Sequence, residues 1–487
     1  MTSIFLPDAT ERTQVLLLHV PYPGKLKFVG FPSSLLQAIA PFAHLLVERG
    51  ELDVLGVLDP GTASQDYRVR FRELIASRSL RVLCISTSTA AVEEAAWAVA
   101  VARELRGEEL LVVVGGPHED DTPEKSGSRI PGVDLSMAGE AEEVLAAVLD
   151  RYLAAELAPE DFLRDLDAEL DRMQMGGLRG GLVTLASHWW GTERRLELPK
   201  LLPADLPSPV WTTKRVAFSV FDAPETLPVM LTRGCPYGRC TFCAEPNRGG
   251  VLVRQTFDWL TELCEHRPGA ALYFQDSIFP AGAHVAGSLL PRLKALGRPW
   301  GCQLFLPTLT RPFLQRLAEH GCRYIYTGLE TASSDILGAV GKPGLNATLA
   351  IERLQWARDL GLTVGISLMF GAIALDGRVL ETDRTVAATV RLAEQVTATG
   401  VAVAGFYPNI MTVLPGTALS RGLEQAGIAL DFCRQPRSEN LQDFEDGGVG
   451  YNFTTIPEIA QANAIGKLAK CIAEAARHVQ GLGRHAW

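Results

Sequence analysis

Apolar residues come in short runs separated by amphipathic stretches over most of the chain. Between residues 12 and 155 the runs are "TQVLLLHV", "LDVLGVLD", "RVLCISTS", "LLVVVGG" and "VDLSMAG". Each is of strand length and rich in Val, Leu and Ile. Segments 33–49, 66–78, 89–106 and 139–155 between them carry the helical pattern. Strands alternating with helices of this length predict a parallel sheet covered on both faces, a doubly wound, Rossmann-like α/β domain. Ligands of such sheets bind beyond the carboxyl ends of the strands. Those ends read "STSTA" (86–90), "GGPHED" (115–120) and "AGEAEE" (138–143). They are small, polar and glycine-bearing. The candidate contacts are therefore Ser86, Thr87 and Ser88, whose hydroxyls can hydrogen-bond a ligand, and Gly115 and Gly116, which let a ligand approach the backbone. Pro117, His118, Gly139 and Glu140 complete the set, and Glu140 equally suits a helix N-terminus as a favourable charge.

Residues 156–225 differ. A charged helix, "APEDFLRDLDAELDRM", leads to a short hairpin and a proline-punctuated connector. From 226 to about 420 the alternation returns, with strands in "LPVMLTRG", "AALYFQDS", "WGCQLFLP", "CRYIYTGLE", "LTVGISLMFG" and "VAVAGFYPNIM". Helices are predicted at 254–266, 285–296, 310–320, 346–360 and 381–398. Such an array predicts a partial or full (β/α) barrel with its chemistry at the carboxyl ends of the strands. The tail, 421–487, holds a glycine-rich loop, "EDGGVGYNF", and a helix from about 456 to 480. The expected domains are thus 12–155, 156–225, 226–420 and 421–487.

Composition narrows the function. With 487 residues, 47% of them hydrophobic, the chain can bury several cores and is not of the disordered class. Lys plus Arg is 46 and Asp plus Glu 56, a net charge of −10, which argues against a nucleic-acid partner. The opening "MTSIFLPDATERTQ" carries early charges and lacks the apolar run of a signal peptide, and the apolar runs fall well short of the ~20 residues that span a bilayer. A cytoplasmic protein with no membrane partner is expected.

Nine cysteines are spread thinly except in "RGCPYGRCTFCAEPN", residues 233–247, where Cys235, Cys240 and Cys243 crowd together. In a reducing compartment such crowding points to a metal or to catalysis. Cys84, Cys264, Cys302, Cys322, Cys433 and Cys471 are expected as small core residues. Three thiolates in a short loop can hold a cubane iron–sulfur cluster with one iron left open to a ligand. Zinc needs a fourth ligand; Glu245 and His266 are nearest and complete no familiar zinc pattern. Coincidence is the third reading. Pro236 stiffens the loop, Gly238 lets it turn and Arg239 offsets cluster charge.

The loop resembles that of the radical S-adenosylmethionine superfamily, whose signature is three cysteines with an aromatic before the third, here Phe242. It departs from the pattern in placing four residues, not three, between Cys235 and Cys240. "YFQDSIFP" resembles the family's second-strand segment, which implies that Asp276 lies at the methionine end of S-adenosylmethionine. "YTGLETASSDILGAVGKP" resembles the fourth-strand motif, implying that Glu330 is aimed at that cofactor. "SLMFGAIALDG", with Ser367, resembles the segment lining the adenosyl pocket. "YPNIMTVLPGTAL" resembles the segment that closes such barrels. Each residue also has an ordinary reading: Asp276 as a turn cap, Glu330 as an ion-pair partner, Ser367 as packing.

Residues 14–155 resemble the cobalamin-binding domain fused ahead of many of these enzymes. No aspartate–x–histidine–x–x–glycine motif is present; Leu17 stands where the aspartate would precede His19. Together the resemblances imply three cofactors: a 4Fe-4S cluster on Cys235, Cys240 and Cys243, S-adenosylmethionine and cobalamin. They also imply an external electron donor such as a flavodoxin or ferredoxin. The implied activity is methyl transfer from methylcobalamin to an unactivated carbon of a small molecule, after hydrogen abstraction by a 5′-deoxyadenosyl radical. A rearrangement or cyclisation with the same cofactors, or a non-catalytic iron–sulfur or zinc protein, are the alternatives. Substrate choice is expected in Trp189–Trp190 and the tail.

Overall fold

A computed structural model describes residues 4–6, 8–20, 50, 54–58, 67–87, 91–116, 119, 130–139, 141–166, 182–185, 194–197, 210–212, 219–245, 252–253, 257–280, 283–411, 413–428, 430 and parts of 471–482. The chain divides into two compact units; the main body of the first ends at Lys214 and that of the second begins at Arg215. Among the described residues no helix is long and apolar enough to cross a membrane.

The first unit contains β1 (Ile4–Leu6), β2 (Val15–His19), β3 (Leu55–Leu58), α1 (Tyr67–Ala76), β4 (Val82–Ser86), α2 (Val92–Arg106), β5 (Leu111–Gly115), β6 (Leu135–Ala138), α3 (Glu142–Ala154), β7 (Leu182–Leu185), β8 (Arg194–Glu197) and β9 (Val210–Thr212). Its sheet runs β3-β2-β4-β5-β6-β7-β8. Pairs from β3 through to β6 are parallel, and the β7–β8 hairpin extends the sheet antiparallel. The uninterrupted apolar runs are explained by burial on both faces. Val15, Leu17, Val82, Cys84, Leu111, Val113 and Met137 pack on one side with Val144, Val148 and Leu149 of α3. Leu16, Leu18, Leu83, Ile85, Val112 and Val114 pack on the other with Phe71 of α1 and Val99 of α2. Each fully buried aliphatic contributes roughly 1.5–3 kcal/mol. Cys84 is one of these core positions, and burial pushes its thiol up to about 12. A half-buried ion pair ties the layers: Arg103 of α2 reaches the buried Asp134 at 2.6 Å, and Asp134 also accepts from the Val112 amide at 2.7 Å.

The second unit contains β10 (Thr226–Val229), β11 (Thr232–Arg233), β12 (Leu252–Val253), α4 (Asp258–His266), β13 (Ala271–Phe274), α5 (Ala283–Leu296), β14 (Trp300–Leu304), α6 (Arg311–Glu319), β15 (Cys322–Glu330), α7 (Ser334–Ala339), α8 (Ala347–Asp359), β16 (Thr363–Phe370), α9 (Asp383–Ala398), β17 (Ala402–Ile410) and α10 (Ala418–Gln425). Six strands pair in parallel in the order β10-β13-β14-β15-β16-β17, which is their order along the chain. No pairing closes β10 onto β17 among the described residues, so the array is a partial barrel. Each of the six apolar runs read from the sequence supplies one of these strands. Helices α6, α8, α9 and α10 start on side-chain caps: Thr310, Asn346, Thr382 and Thr417 each accept from a backbone amide of the first turn. Cys264, Cys302 and Cys322 are buried and Cys471 half-buried, while Cys433 lies outside the described residues.

Candidate functional site

In the first unit the carboxyl ends of adjacent strands align. His19 is in register with Ser86, Ser86 with Gly115, and Gly115 with Met137. The chain proceeds from β2 outward to β3, then crosses to β4 on the other side of β2. That reversal opens a crevice between β2 and β4, where doubly wound sheets bind their ligands. Ser86 and Thr87 stand there but are buried, 3% and 2% exposed. The Thr87 amide donates to Gly115 O at 2.9 Å. Gly116, at φ +104°, sits so close that a Cβ would lie 2.8 Å from Ser86 Oγ. The glycine is thus required by the chain's own packing. Gly139 follows β6 and is exposed, at φ +85°. The structure therefore gathers Ser86, Thr87, Gly115 and Gly116, with Gly139 at the next strand end. At these positions the rim carries only small side chains, which suits close approach by a bulky cofactor. Ser88, Pro117, His118, Glu140, Trp189, Trp190 and the tail's glycine-rich loop lie outside the described residues. The sequence reading gave no role to Glu119, a buried carboxylate that accepts from Ser136 Oγ.

In the second unit the three-cysteine loop follows β10 and β11, and several ties hold it. At its start, Asp276 beyond β13 accepts through Oδ1 from the Leu231 amide (3.0 Å), the Thr232 amide (2.5 Å) and Thr232 Oγ1 (2.6 Å). The other oxygen, Oδ2, is buried with no hydrogen-bond partner among the described residues. Burial raises the Asp276 carboxyl, the three donors pull it back, and the balance is about 6. Further along, Tyr237 Oη donates to Gly341 O at 2.6 Å, and the Thr241 amide to Val340 O at 3.1 Å. Thr241 O accepts from the Leu419 amide of α10 at 2.8 Å. Gly341, at φ +80°, lets the Arg239–Cys240 backbone lie against it; a Cβ there would collide with Arg239 O. Phe242 packs on the apolar cluster of Ile336, Val340 and Met369.

Cys235, Cys240 and Cys243 are all half-buried. Burial pushes the Cys240 thiol up to about 11 and that of Cys243 to about 12, and each feels the charge of its neighbours. Thiols held as high as those of Cys240 and Cys243 ionise only against a strongly cationic partner, the chemistry of a metal-binding donor set. Among the described residues no three His, Cys, Asp or Glu side chains are gathered as ligands of a single ion. A cubane asks for a different arrangement, one thiolate on each of three irons. By donor type, loop ties and surrounding charge, the three cysteines fit it.

Glu330 ends β15 at φ +60°, where the ladder to β16 shifts register. A non-glycine residue there costs on the order of 1–2 kcal/mol. Its Oε1 lies 2.5 Å from Lys342 Nζ, and both residues are buried. Ser367 stands on the same face of β16. Its hydroxyl accepts from Asn409 Nδ2 at 3.0 Å and hydrogen-bonds Tyr326, whose own hydroxyl burial pushes up to about 12. Below it, Tyr324 hydrogen-bonds Tyr407, and the Tyr273 ring packs tilted against Tyr324 with centroids 5.9 Å apart. Sequence reasoning missed this tyrosine-filled interior and Lys342. The signal for the tyrosines was their alternation in "CRYIYTGLE"; Lys342 stood in a quoted motif without a task.

No family model matches the chain. Among curated proteins it is 24% identical over 416 residues to an uncharacterized methyltransferase of Pyrococcus horikoshii, covering 83% of this chain and 82% of that protein. It is 22% identical over 294 residues to bacteriochlorophyllide d C-8(2)-methyltransferase of Chlorobaculum tepidum, covering 57% and 56%. Among solved structures, the radical S-adenosylmethionine methyltransferase TsrM from Kitasatospora setae, with cobalamin and a 4Fe-4S cluster bound, superposes with a TM-score of 0.58 at 18% identity, over 85% of this chain and 77% of that one. The cobalamin-dependent S-adenosylmethionine radical enzyme OxsB, with aqua-cobalamin bound, gives 0.57 at 15% identity, over 89% and 66%. The chain thus has the fold of the cobalamin-dependent radical S-adenosylmethionine enzymes, and the resemblance read from its cysteine loop and strand ends is borne out.

Proposed function

We propose that the protein is a cobalamin-dependent radical S-adenosylmethionine methyltransferase acting on an unactivated carbon of a small-molecule substrate. The observation that carries this reading is the three-cysteine loop, tied at its start by Asp276 and further on by Gly341, Val340 and Leu419. Methyl transfer is favoured over rearrangement because both curated relatives are methyltransferases. When bound, the cluster would supply the electron that cleaves S-adenosylmethionine, and cobalamin the methyl group. The chain's residues do the holding. Cys235, Cys240 and Cys243 would each take one iron. Asp276 and the 340–341 turn fix the loop's path, so little ordering is left for cofactor binding. Glu330, Ser367 and Asn409 present polar groups on one face at the strand ends, and the packed tyrosines beneath keep water out. In the first unit, Ser86 and Thr87 at the end of β4 border the crevice beside β2, and Gly115 and Gly116 at the end of β5 keep the adjoining rim low for a cofactor.

The test is anaerobic reconstitution with iron, sulfide and cobalamin, then incubation with S-adenosylmethionine and a reductant. We expect about four irons per chain, retained cobalamin and release of 5′-deoxyadenosine, all iron-dependent signals being lost in Cys240→Ala. A product heavier by one methyl group separates methyl transfer from rearrangement. Iron-free protein, or undiminished 5′-deoxyadenosine from Cys240→Ala, refutes the reading.

A further inference from the structure

Lys342 is a buried cation beside the cysteine loop. Its Nζ is 2.5 Å from Glu330 Oε1, 5.9 Å from the Phe242 ring centroid and 5.7 Å from that of Phe305. A buried ion pair is weak evidence for stability, because desolvation offsets the Coulomb gain and apolar replacements are often neutral. This pair also requires Glu330 in a left-handed conformation, a further cost. The placement is specific: Lys342 follows Val340 and Gly341, the two residues that bond Thr241 and Tyr237 of the loop. Gly341 lies against the Arg239–Cys240 backbone, and the next residue, Lys342, carries its ammonium to the Phe242 side of the same loop. In a buried setting the field of that charge is weakly screened.

Resting on the cluster reading above, we propose that Lys342, oriented by Glu330, sets the reduction potential of the iron–sulfur cluster held by Cys235, Cys240 and Cys243. Reduction adds one electron from an external one-electron donor protein and changes no bond. The ammonium favours the more negative, reduced state and so raises the midpoint. Lys342 touches no reacting atom; it acts through the field.

The experiment is an EPR-monitored redox titration of reconstituted protein without S-adenosylmethionine, comparing the natural chain with Lys342→Met and Lys342→Arg, with iron counted in each. The expected result is full iron in all three, a midpoint shifted negative in Lys342→Met, and recovery in Lys342→Arg. A Lys342→Met protein with full iron and the natural midpoint overturns the proposal and leaves the cluster reading standing. A natural chain that binds no iron overturns both. Should Lys342→Met hold no iron, Glu330→Gln carries the test, since it keeps the ammonium and removes its counter-charge: a midpoint above the natural one is expected, and an unchanged one overturns the proposal.

Discussion

Asp276→Asn isolates what a buried carboxylate does at the start of the cysteine loop. The amide retains an oxygen to accept from Leu231 and Thr232 but cannot ionise. Burial outweighs the three donors and holds the natural carboxyl at about 6, against 3.8 for the free residue. At about 1.4 kcal/mol per pH unit, that difference makes the ionised form cost about 3 kcal/mol of folding free energy. The pKa is raised on folding, so the contribution is fully present below pH 3.8 and is lost as pH climbs through about 6. Roughly half of it, about 1–1.5 kcal/mol, disappears between pH 5 and 8. Denaturant midpoints measured anaerobically across that window, without S-adenosylmethionine, should show the natural chain losing this much relative to Asp276→Asn. Parallel pH curves, or a natural chain that gains on the variant as pH rises, would refute the reasoning.

Two further substitutions probe the frame. Gly341→Ala forces an alanine to φ +80° and drives its Cβ into Arg239 O, at about 1–2 kcal/mol for the backbone and about 1–3 for the overlap. Less iron per reconstituted chain and a lower thermal transition are expected, and an unchanged iron count sinks the idea that this contact shapes the loop. Arg103→Met deprives fully buried Asp134 of its counter-charge and should destabilise the first unit by about 3–5 kcal/mol, seen as a lower transition temperature. A transition within a degree or two of the natural one contradicts that assignment.

The strands were legible because a sheet buried on both faces writes each strand as an uninterrupted apolar run; "VLLLH" and "VLCIS" became β2 and β4 on that signal alone. The cysteine crowding was equally plain, since three thiols within nine residues need only counting. What holds the cysteines was not legible. The Asp276–Thr232 bonds span 44 residues and exist only because β10 and β13 pair. The left-handed turn at Glu330 arises from a register shift between two strands, and no local residue pattern announces it. The tyrosine interior was readable in part, yet alternating Tyr in an apolar run looks the same whether the rings face a lumen or a helix.

Because the six parallel strands follow one another in chain order, the ties of the cysteine loop leave the ribosome one after another. Its first clamp, Asp276, emerges about 30 residues after Cys243. Its second, the turn at 340–342, follows only after two more strands and three helices have been made, and Leu419 of α10 comes later still. A nascent chain halted between those points would carry the loop leashed at one end and still open at the other.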